Sequence, residues 1–482
     1  MAKRLILVLF LPCFLPPKVL ANPIDEKDLV SLAREANPTT KTLEASLLML
    51  KSRLLAFDDQ FTSQWYANAN YQNSNLQSVT PNNPIWGPTH HYQTGIRSNM
   101  RYGISGDLFA YSDKRSSTDR MINDSARVGV GLRIEMDLWK NLLGQLDDSK
   151  RFSLAKRAEL QKVSNEIRLK QLEVEIRKMY WSLIANHRSI QVSKKLLKLA
   201  KKQEKEAQLR TNLAIAESDE IARYKAQVAS IKSTIHSLEF QKKSLMRALF
   251  QMVPKAEDQE ISLDRTDDEQ IISAVFQCTI WIASQSKTPW EHTGYGEIIK
   301  LDEERYQSDL SELNHYDSMD LKVFYENELT NNGIGFKDSM DELGKGQAND
   351  YSVGISVSVP LGSTLKDSKD FQVRAKSAEL ASSIDTVRSE VAARHASMRD
   401  MIDLLKKILE TQRESSDQLN IVQKGSSRRY SQARIPVEVL IQDQNAAQAS
   451  EIDKTKAQLA IIHEVLDYFR IFNNAPCSLN KL

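Results

Sequence analysis

Two kinds of hydrophobic spacing divide this chain. Some segments alternate apolar and polar residues with a period of two, most clearly from Ala126 to Leu138. In other segments apolar residues recur every seven positions, as in Leu169, Ile176, Leu183, Ile190 and Leu197. A seven-residue spacing is typical of long helices that pack like coiled coils, and a period of two is typical of strands with two unlike faces. The pattern therefore predicts long helices joined to amphipathic strands.

Long stretches without glycine or proline support the helical prediction. They cover 145–253, 363–424 and 437–475, and the first is 109 residues long. The apolar rhythm weakens near 210–218, where we expect a tight turn with Ser218 as the N-cap of the returning helix. Gly425 to Pro436 is predicted to interrupt the second long helix. The sequence thus predicts two helical hairpins, over 145–253 and 363–475.

Strands are predicted where the period is two. The segment 126–138 is apolar on one face and carries four charges on the other, Arg127, Arg133, Glu135 and Asp137. A membrane strand with lipid on one side and water on the other has this pattern, and so has a strand of a soluble sandwich. Both interpretations stay open here. Further strands are predicted over 61–72, 92–112, 321–329 and 351–359.

The order of helix, strands and helical hairpin occurs twice along the chain. The first copy covers 22–254, the second covers 255–475, and a short tail covers 476–482. The start of the second copy, Asp267 to Ile272, is similar to Asp25 to Val30. The sequence therefore predicts an internal duplication.

Residues 1–21 are predicted to be a signal peptide. Lys3 and Arg4 precede an apolar stretch from Leu5 to Leu15. A lipoprotein site at Cys13 is disfavoured because a proline precedes it. No later stretch approaches the ~18 apolar residues of a spanning helix, so we expect that a membrane-bound form would cross as a β-barrel.

Charge and chemistry narrow the classes of function. Without the three cations of the leader the formal charge falls from +2 to −1, which gives no basic bias towards nucleic acid. Cys278 and Cys477 are too few for a disulfide scaffold, and whether they pair stays open. His90 and His91 adjoin a loop and are interpreted as exposed rather than as metal ligands. We find no nucleophile motif and no phosphate-binding loop, and therefore predict a non-enzyme without cofactor or metal.

Three stretches together resemble the TolC-like outer-membrane efflux protein family. Val357–Gly362 is similar to the junction of that family between a strand and a helix, and Ala216–Ile221 is similar to its first hairpin tip. Tyr430–Leu440 resembles its second hairpin tip. The chain departs from the family where Ala214 and Ala433 replace the usual tip glycines. It departs again at the first strand-to-helix junction, where Asp137 replaces a proline.

The resemblance implies a mainly α fold with a membrane β-barrel portion. Three copies would share one β-barrel, to which each gives four strands, and one α-barrel of coiled-coil-like hairpins. The first half here has one additional pair of strands near 92–112. Whether this pair joins the barrel or forms a separate hairpin stays open. The implied location is the outer membrane of a Gram-negative bacterium, with the helices extending into the periplasm.

The implied function is a passive exit duct of a tripartite efflux or type I secretion system. Its partners would be a periplasmic adaptor protein, an inner-membrane pump and outer-membrane lipid. The resemblance places Tyr430, Arg434 and Glu438 at a periplasmic gate, with Gln442 or Asp443 as alternatives for an acidic ring residue. The hairpin tips would dock the adaptor through Asn212, Ala214, Glu217, Ser218, Ala433 and Pro436.

Two other functions are compatible with part of the sequence pattern. A structural coiled-coil protein of the cell surface would explain the seven-residue spacing but not the duplicated order of strands and helices. An uptake porin would have many strands and few helices, which this chain contradicts. The direction of the paired helices separates the first alternative from a duct, because a duct requires antiparallel hairpins.

Overall fold

The computed structural model describes residues 23–73, 86–117, 125–213, 218–257, 259–263, 268–284, 290–315, 319–343, 349–359 and 364–472. The predicted leader, Cys477 and the predicted tip residues Ala214 and Glu217 lie outside these ranges. The chain forms two compact units, one from Met1–Lys41, Arg168–Thr288 and Arg394–Leu482, the other from Thr42–Ile167 and Pro289–Ala393. Each unit takes segments from both predicted repeats, whose boundaries remain a prediction.

Nine α-helices lie in the described part of the chain. In chain order they are α1 Glu26–Ala36, α2 Pro38–Asp59, α3 Gln145–Asn212, α4 Ser218–Met252, α5 Asp268–Ser284, α6 Gly294–His315, α7 Phe336–Leu343, α8 Thr364–Ser431 and α9 Val437–Ile471. None of these helices, within the residues described, combines the length and the apolar character needed to cross a membrane.

The two long hairpins have matching dimensions. Helices α3 and α8 each contain 68 residues, and helices α4 and α9 each contain 35. The four helix boundaries of the second hairpin follow those of the first at one constant offset. This correspondence favours the predicted duplication, because unrelated segments have no reason to share both lengths.

The first hairpin of the first unit is antiparallel. Its apolar seam joins Leu196 and Ala200 of α3 to Val228, Ile231 and Ile235 of α4, all of them buried. Residues early in one helix therefore contact residues late in the other. Such seams are the expected result of the seven-residue spacing, because burying one stripe per helix removes its apolar side chains from water.

The second hairpin is also antiparallel. Ser416 of α8 donates a hydrogen bond of 2.6 Å to Glu451 of α9, and Ser426 donates to Asp443. Later positions in α8 thus meet earlier positions in α9. Near its C-terminus α9 buries a dense apolar group that includes Val465, Leu466, Tyr468 and Phe469.

A buried ion-pair cluster ties α1 to α3 in the first unit. The Arg177 guanidinium lies 3.1 Å from Glu26 and 3.0 Å from Glu173, and all three side chains are nearly inaccessible to water. Arg34 reaches Glu173 from the surface at 2.7 Å. Buried carboxylates need such partners, since an unpaired charge in this environment is strongly destabilising. Cys278, also buried in this unit, is disulfide-bonded.

The second unit contains one antiparallel sheet of six strands in sequential order. Its strands are β1 Gln64–Gln72, β2 Trp86–Met100, β3 Ile104–Ser117, β4 Ser125–Asp137, β5 Asp320–Gly333 and β6 Asn349–Ser358. The additional pair near 92–112 therefore joins the sheet between β1 and β4. The pair does not form a separate hairpin, and the chain carries six strands instead of the four that the resemblance implies.

Near the sheet, an ionic contact joins three helices of the second unit. Asp309 of α6 accepts hydrogen bonds of 2.7 Å from Ser153 of α3 and 2.9 Å from Lys376 of α8. Burial raises the pKa of Asp309, but the hydrogen bonds from Ser153 and Lys376 and the charges of Lys376 and Arg157 outweigh burial and hold the pKa below its usual value. The carboxylate is therefore ionised in the folded unit at neutral pH.

Two details differ from the sequence predictions. Helix α8 continues through Gly425 to Ser431, so the interruption predicted over 425–436 begins later than expected and covers 432–436. The cost of glycine in a helix is about 1 kcal/mol, and the buried contact of Ser426 with α9 offsets it. The loop after β5 contains the unpredicted helix α7, which is too short for a periodic signal.

Candidate functional site

The six-stranded sheet has an apolar outer face. The strand pairing aligns Ile96, Leu108, Leu132 and Asn327 on this face, one from each of β2 to β5. Most of its apolar side chains are exposed, including Trp65, Tyr92, Ile96, Leu108, Val130, Leu132, Ile134, Tyr325, Val353 and Ile355. A water-soluble sheet buries such a face against another layer. An apolar environment would therefore stabilise this exposed face.

The opposite, inner face carries paired charges. Arg97 of β2 reaches Asp107 of β3 at 2.8 Å, and Arg127 of β4 reaches Asp350 of β6 at 3.1 Å. Lys322 of β5 lies 3.1 Å from Glu135 of β4. Because neighbouring residues of a strand point to opposite faces, the alternation predicted from the sequence produces this separation directly. The inner face is suited to water and to charged solutes.

A cleft of about 660 Å³ lies against the inner face. It is lined by the charged pairs of β2 to β5, by His91 with its partner Asp113, and by the aromatic rings of Phe109 and Tyr111. Acidic side chains outnumber basic ones in this lining. The arrangement is a hydrated, charged wall rather than an apolar binding pocket.

Glycines on the inner face let large rings lie flat on the sheet. A Cβ atom at Gly131 would lie 2.4 Å from Cζ of Phe109, and one at Gly129 would lie 2.7 Å from the ring of Tyr111. In the same way the ring of Phe324 occupies the space beside Gly354. The rings therefore cover backbone instead of projecting into the cleft.

A second cluster lies in the first unit, where α8 meets the first hairpin. The Tyr430 hydroxyl donates a hydrogen bond to the Glu220 carboxylate of α4. The Arg210 guanidinium of α3 lies over the Tyr430 ring at 5.3 Å, and the ring of Tyr224 meets it edge-on at 6.4 Å. Burial, followed by the hydrogen bond to Glu220, raises the pKa of Tyr430 above its ordinary value. The phenol therefore stays a donor at neutral pH.

The predicted gate residue Glu438 also contacts α4. Its carboxylate pairs with Arg223, which in turn lies 3.4 Å from Asp219. Both members of the Glu438–Arg223 pair are about half exposed. They line a shallow cleft of about 540 Å³ between α4 and α9, together with Gln227 and Gln442.

The other predicted gate residues differ in burial and in the contacts that they make. Asp443 is half-buried and accepts a hydrogen bond from Ser426 within the second hairpin, whereas Gln442 is exposed. Arg434 is exposed at the tip, where its backbone N–H donates to the carbonyl of Arg429 at 2.9 Å. The structure thus connects Tyr430 and Glu438 to α4 and leaves Arg434 at the surface.

The second tip forms a compact turn between α8 and α9. Ala433 adopts φ +55°, a left-handed conformation that a glycine would adopt with less strain. Pro436 precedes the first turn of α9, and α4 begins at Ser218. Asn212 is exposed at the end of α3. The predicted docking residues that the structure describes therefore lie at helix ends, where their backbone groups are accessible.

Comparison with solved structures relates this geometry to known proteins. The chain is similar to the channel CusC with a TM-score of 0.65 and 9% identity over 92% of this chain and 91% of that chain. It is similar to the outer-membrane channel OprN with a TM-score of 0.64 and 12% identity over 92% and 89%. For the Campylobacter jejuni outer membrane channel CmeC the values are 0.63 and 10% over 94% and 88%. No protein-family model and no curated protein matches the chain.

The chain has the fold of the TolC-like outer-membrane channels. At 9–12% identity this likeness concerns the fold, and the neighbours are channels rather than enzymes. The resemblance predicted from the sequence is confirmed at that level. It covers 92–94% of the chain.

The sequence did not lead us to three residues of this TolC-like fold that contact the predicted gate residues Tyr430 and Glu438. Glu220, Arg223 and Arg210 all contact predicted gate residues, yet none was singled out. Their positions near the end of α3 and the start of α4 could have identified them as candidate partners of the gate residues. The duplication relates the end of α3 to that of α8, so a gate residue on α8 suggests a partner at the first tip.

No group of three or more residues able to hold a metal occurs in the part of the chain that the structure describes. His91 pairs with Asp113 on the inner face. His90 lies between Tyr71 and Tyr92 on the outer face, with ring centroids 5.0 and 6.4 Å away. The two adjacent histidines therefore point to opposite faces of the strand and do not converge.

Proposed function

We propose that this protein is the outer-membrane exit duct of a tripartite efflux or type I secretion system. The observation that carries the proposal is the sheet, which has an exposed apolar face and a charged inner face within a TolC-like fold. A sheet of this kind suits lipid on one side and an aqueous pore on the other. The location would be the outer membrane of a Gram-negative bacterium, with the helices in the periplasm.

The active form is a homotrimer whose sheets close into one β-barrel and whose hairpins form one α-barrel. A single six-stranded sheet leaves two open edges, which lipid does not tolerate because it offers no hydrogen bonds to the backbone. Cyclic association removes the edges, since every copy pairs with the next until the ring closes.

Gating resides in the contacts between the two hairpins. Tyr430 bound to Glu220 and Glu438 bound to Arg223 fasten α8 and α9 to α4. Loosening these contacts would let the second hairpin move outward and widen the periplasmic entrance. A ring of carboxylates at Glu438 or Asp443, three in the assembled duct, would favour cations.

The duct is passive and takes its solutes from other proteins. A periplasmic adaptor would dock at the tips, through Asn212, Ala214, Glu217, Ser218, Ala433 and Pro436, and an inner-membrane pump would supply the energy. The antiparallel hairpins support this function over a structural coiled-coil protein of the cell surface, because parallel chains are usual in stalks of that kind.

Planar-bilayer recording tests the proposal. The purified mature protein is inserted from detergent, and the current through single assemblies is recorded at fixed voltage. Step-like currents of uniform size are expected. Correctly inserted assemblies that carry no current, both in the wild type and in variants with a loosened Tyr430 contact, would refute the duct and favour the structural alternative.

A further inference from the structure

We infer that the closed sheet contains eighteen strands, joined where β6 of one copy pairs with β1 of the next. This inference rests on the proposed trimeric duct. Four strands per copy would give a ring of twelve, whereas the sheet of this chain has six. The difference is the β2–β3 hairpin, which pairs with β1 on one side and with β4 on the other.

Both edge strands are open in the described part of the molecule. There β1 pairs only with β2, and β6 pairs only with β5. Nearly all residues of the two strands are exposed, with Trp65 at 73% and Ile355 at 68%. Because the sheet is antiparallel and has an even number of strands, β1 and β6 run in opposite directions. A seam between copies therefore continues the antiparallel pattern without a break.

The two edges match in length and in the character of their faces. The strands contain 9 and 10 residues. On the outer face β1 presents Trp65, Ala67, Ala69 and Tyr71, and β6 presents Tyr351, Val353, Ile355 and Val357. Aromatic and β-branched residues opposite one another stabilise a sheet. On the inner face the only charge of either edge is Asp350, which Arg127 already pairs, so no like charges meet at the seam.

Full overlap of the edges defines a register. It places Tyr71 opposite Tyr351, Ala69 opposite Val353 and Trp65 opposite Val357, so that every outer residue meets an outer residue. A shift by one residue would set apolar side chains against the polar inner face. Only shifts by two residues keep the faces aligned, and each such shift shortens the overlap or leaves backbone groups unpaired.

The stagger of this register fits a closed barrel. A line of directly opposed residues can be followed across the whole sheet, through Gln64, Arg97, Asp107, Arg133, Glu326 and Ser352. At the seam Ser352 would meet Asn70 of the next copy, six residues beyond Gln64. Six residues along a strand span about 20 Å, and six neighbouring strands span about 29 Å across the sheet. The ratio of these two lengths gives a strand tilt of about 35° relative to the barrel axis. That value lies at the lower end of the range of about 35–45° for transmembrane barrels.

The consequence for function is a wider outer-membrane pore. Barrel diameter grows roughly linearly with strand number, so eighteen strands enlarge it by about half relative to twelve. The flat rings over Gly129, Gly131 and Gly354 keep that added width open. The narrowest point of the duct would then lie among the helices rather than within the sheet.

Cysteine cross-linking tests the seam in the full-length protein. The double variant Ala69→Cys, Val353→Cys places thiols on the same outer face, at Cβ positions about 5 Å apart across the seam. The matched control, Ala69→Cys with Ser352→Cys, moves the second thiol by one residue to the inner face. Both are treated in detergent with a short bifunctional thiol reagent, beside the wild type and the single variants, and resolved on denaturing gels.

The expected result is covalent dimers and trimers, and nothing larger, for the first variant, with only wild-type background for the control. Lack of these products in assemblies that still conduct would overturn the seam while leaving the duct intact. Products of four or more copies would overturn the count of eighteen. Trimers that cross-link fully before insertion and yet never conduct would instead count against the duct, so the two failures are distinguishable.

Discussion

Tyr430 of α8 donates its phenolic hydrogen to Glu220 of α4, and this bond joins the two hairpins of the chain. Replacing Tyr430 with Phe removes the donor and keeps the ring that packs on Tyr224. Hydrogen bonds to a charged group contribute about 1.5–3 kcal/mol, so the closed arrangement should lose about that much per copy. We expect a larger mean current in planar bilayers. Tyr102→Phe, at an exposed tyrosine, serves as the control and should leave the current unchanged.

Substitutions at Glu438 and at Arg223 should change the cation selectivity of the duct in opposite directions. If the Glu438 carboxylates face the pore, Glu438→Gln should lower the preference for cations. Arg223→Gln removes the compensating charge and should raise that preference. Reversal potentials in a salt gradient measure both. Thermal stability should change by less than about 1 kcal/mol, because the pair is exposed. If Arg223→Gln has no effect while Asp443→Asn lowers selectivity, the acidic ring lies at Asp443.

The glycine beneath Phe109 should be sensitive to substitution. Gly131→Ala sets a methyl group against the ring and should cost about 1–3 kcal/mol, the usual penalty for overpacking. The temperature at which assemblies dissociate on gels would fall. Gly106→Ala is the matched control, because no atom lies within 4 Å of its added Cβ. In a Phe109→Ala background the same Gly131→Ala change should cost little, and an undiminished cost there would argue against this packing.

Acid stability should depend on Asp309. Its pKa is lower in the folded unit than in the unfolded chain, so its ionised form stabilises the fold above the unfolded pKa. That stabilisation is lost as pH falls through the folded pKa. The unfolding midpoint of the wild type should therefore drop more steeply below about pH 4 than that of Asp309→Asn. Equal slopes for the two proteins would show that Asp309 does not contribute.

Replacing the buried Arg177 should lower the free energy of unfolding far more than replacing the exposed Arg34. Arg177→Met leaves Glu26 and Glu173 buried without their main partner, which should cost about 3–5 kcal/mol. Arg34→Met removes a surface contact to the same Glu173 and should cost less than about 1 kcal/mol. Denaturant unfolding of the purified protein compares the two. Similar losses would mean that burial does not set the strength of this cluster.

Local patterns in the sequence determined the kinds of elements and their order. The period of two over 126–138 predicts β4, and the breaker-free stretches predict α3, α4 and α9. The faces of the strands followed as well, because side chains alternate along any strand whatever it pairs with. Even the long helices were predictable, since their stabilising seams repeat over many turns.

The tertiary structure alone decided which elements meet. The sequence did not show that β2 and β3 enter the same sheet, because pairing depends on backbone hydrogen bonds that no side-chain pattern specifies. Glycine at 425 predicts a break locally, but packing of the adjacent Ser426 on α9 overrides that preference. The partnership of Tyr430 with Glu220 joins residues 210 positions apart. Such contacts arise from the mutual packing of two hairpins, which neither hairpin encodes by itself.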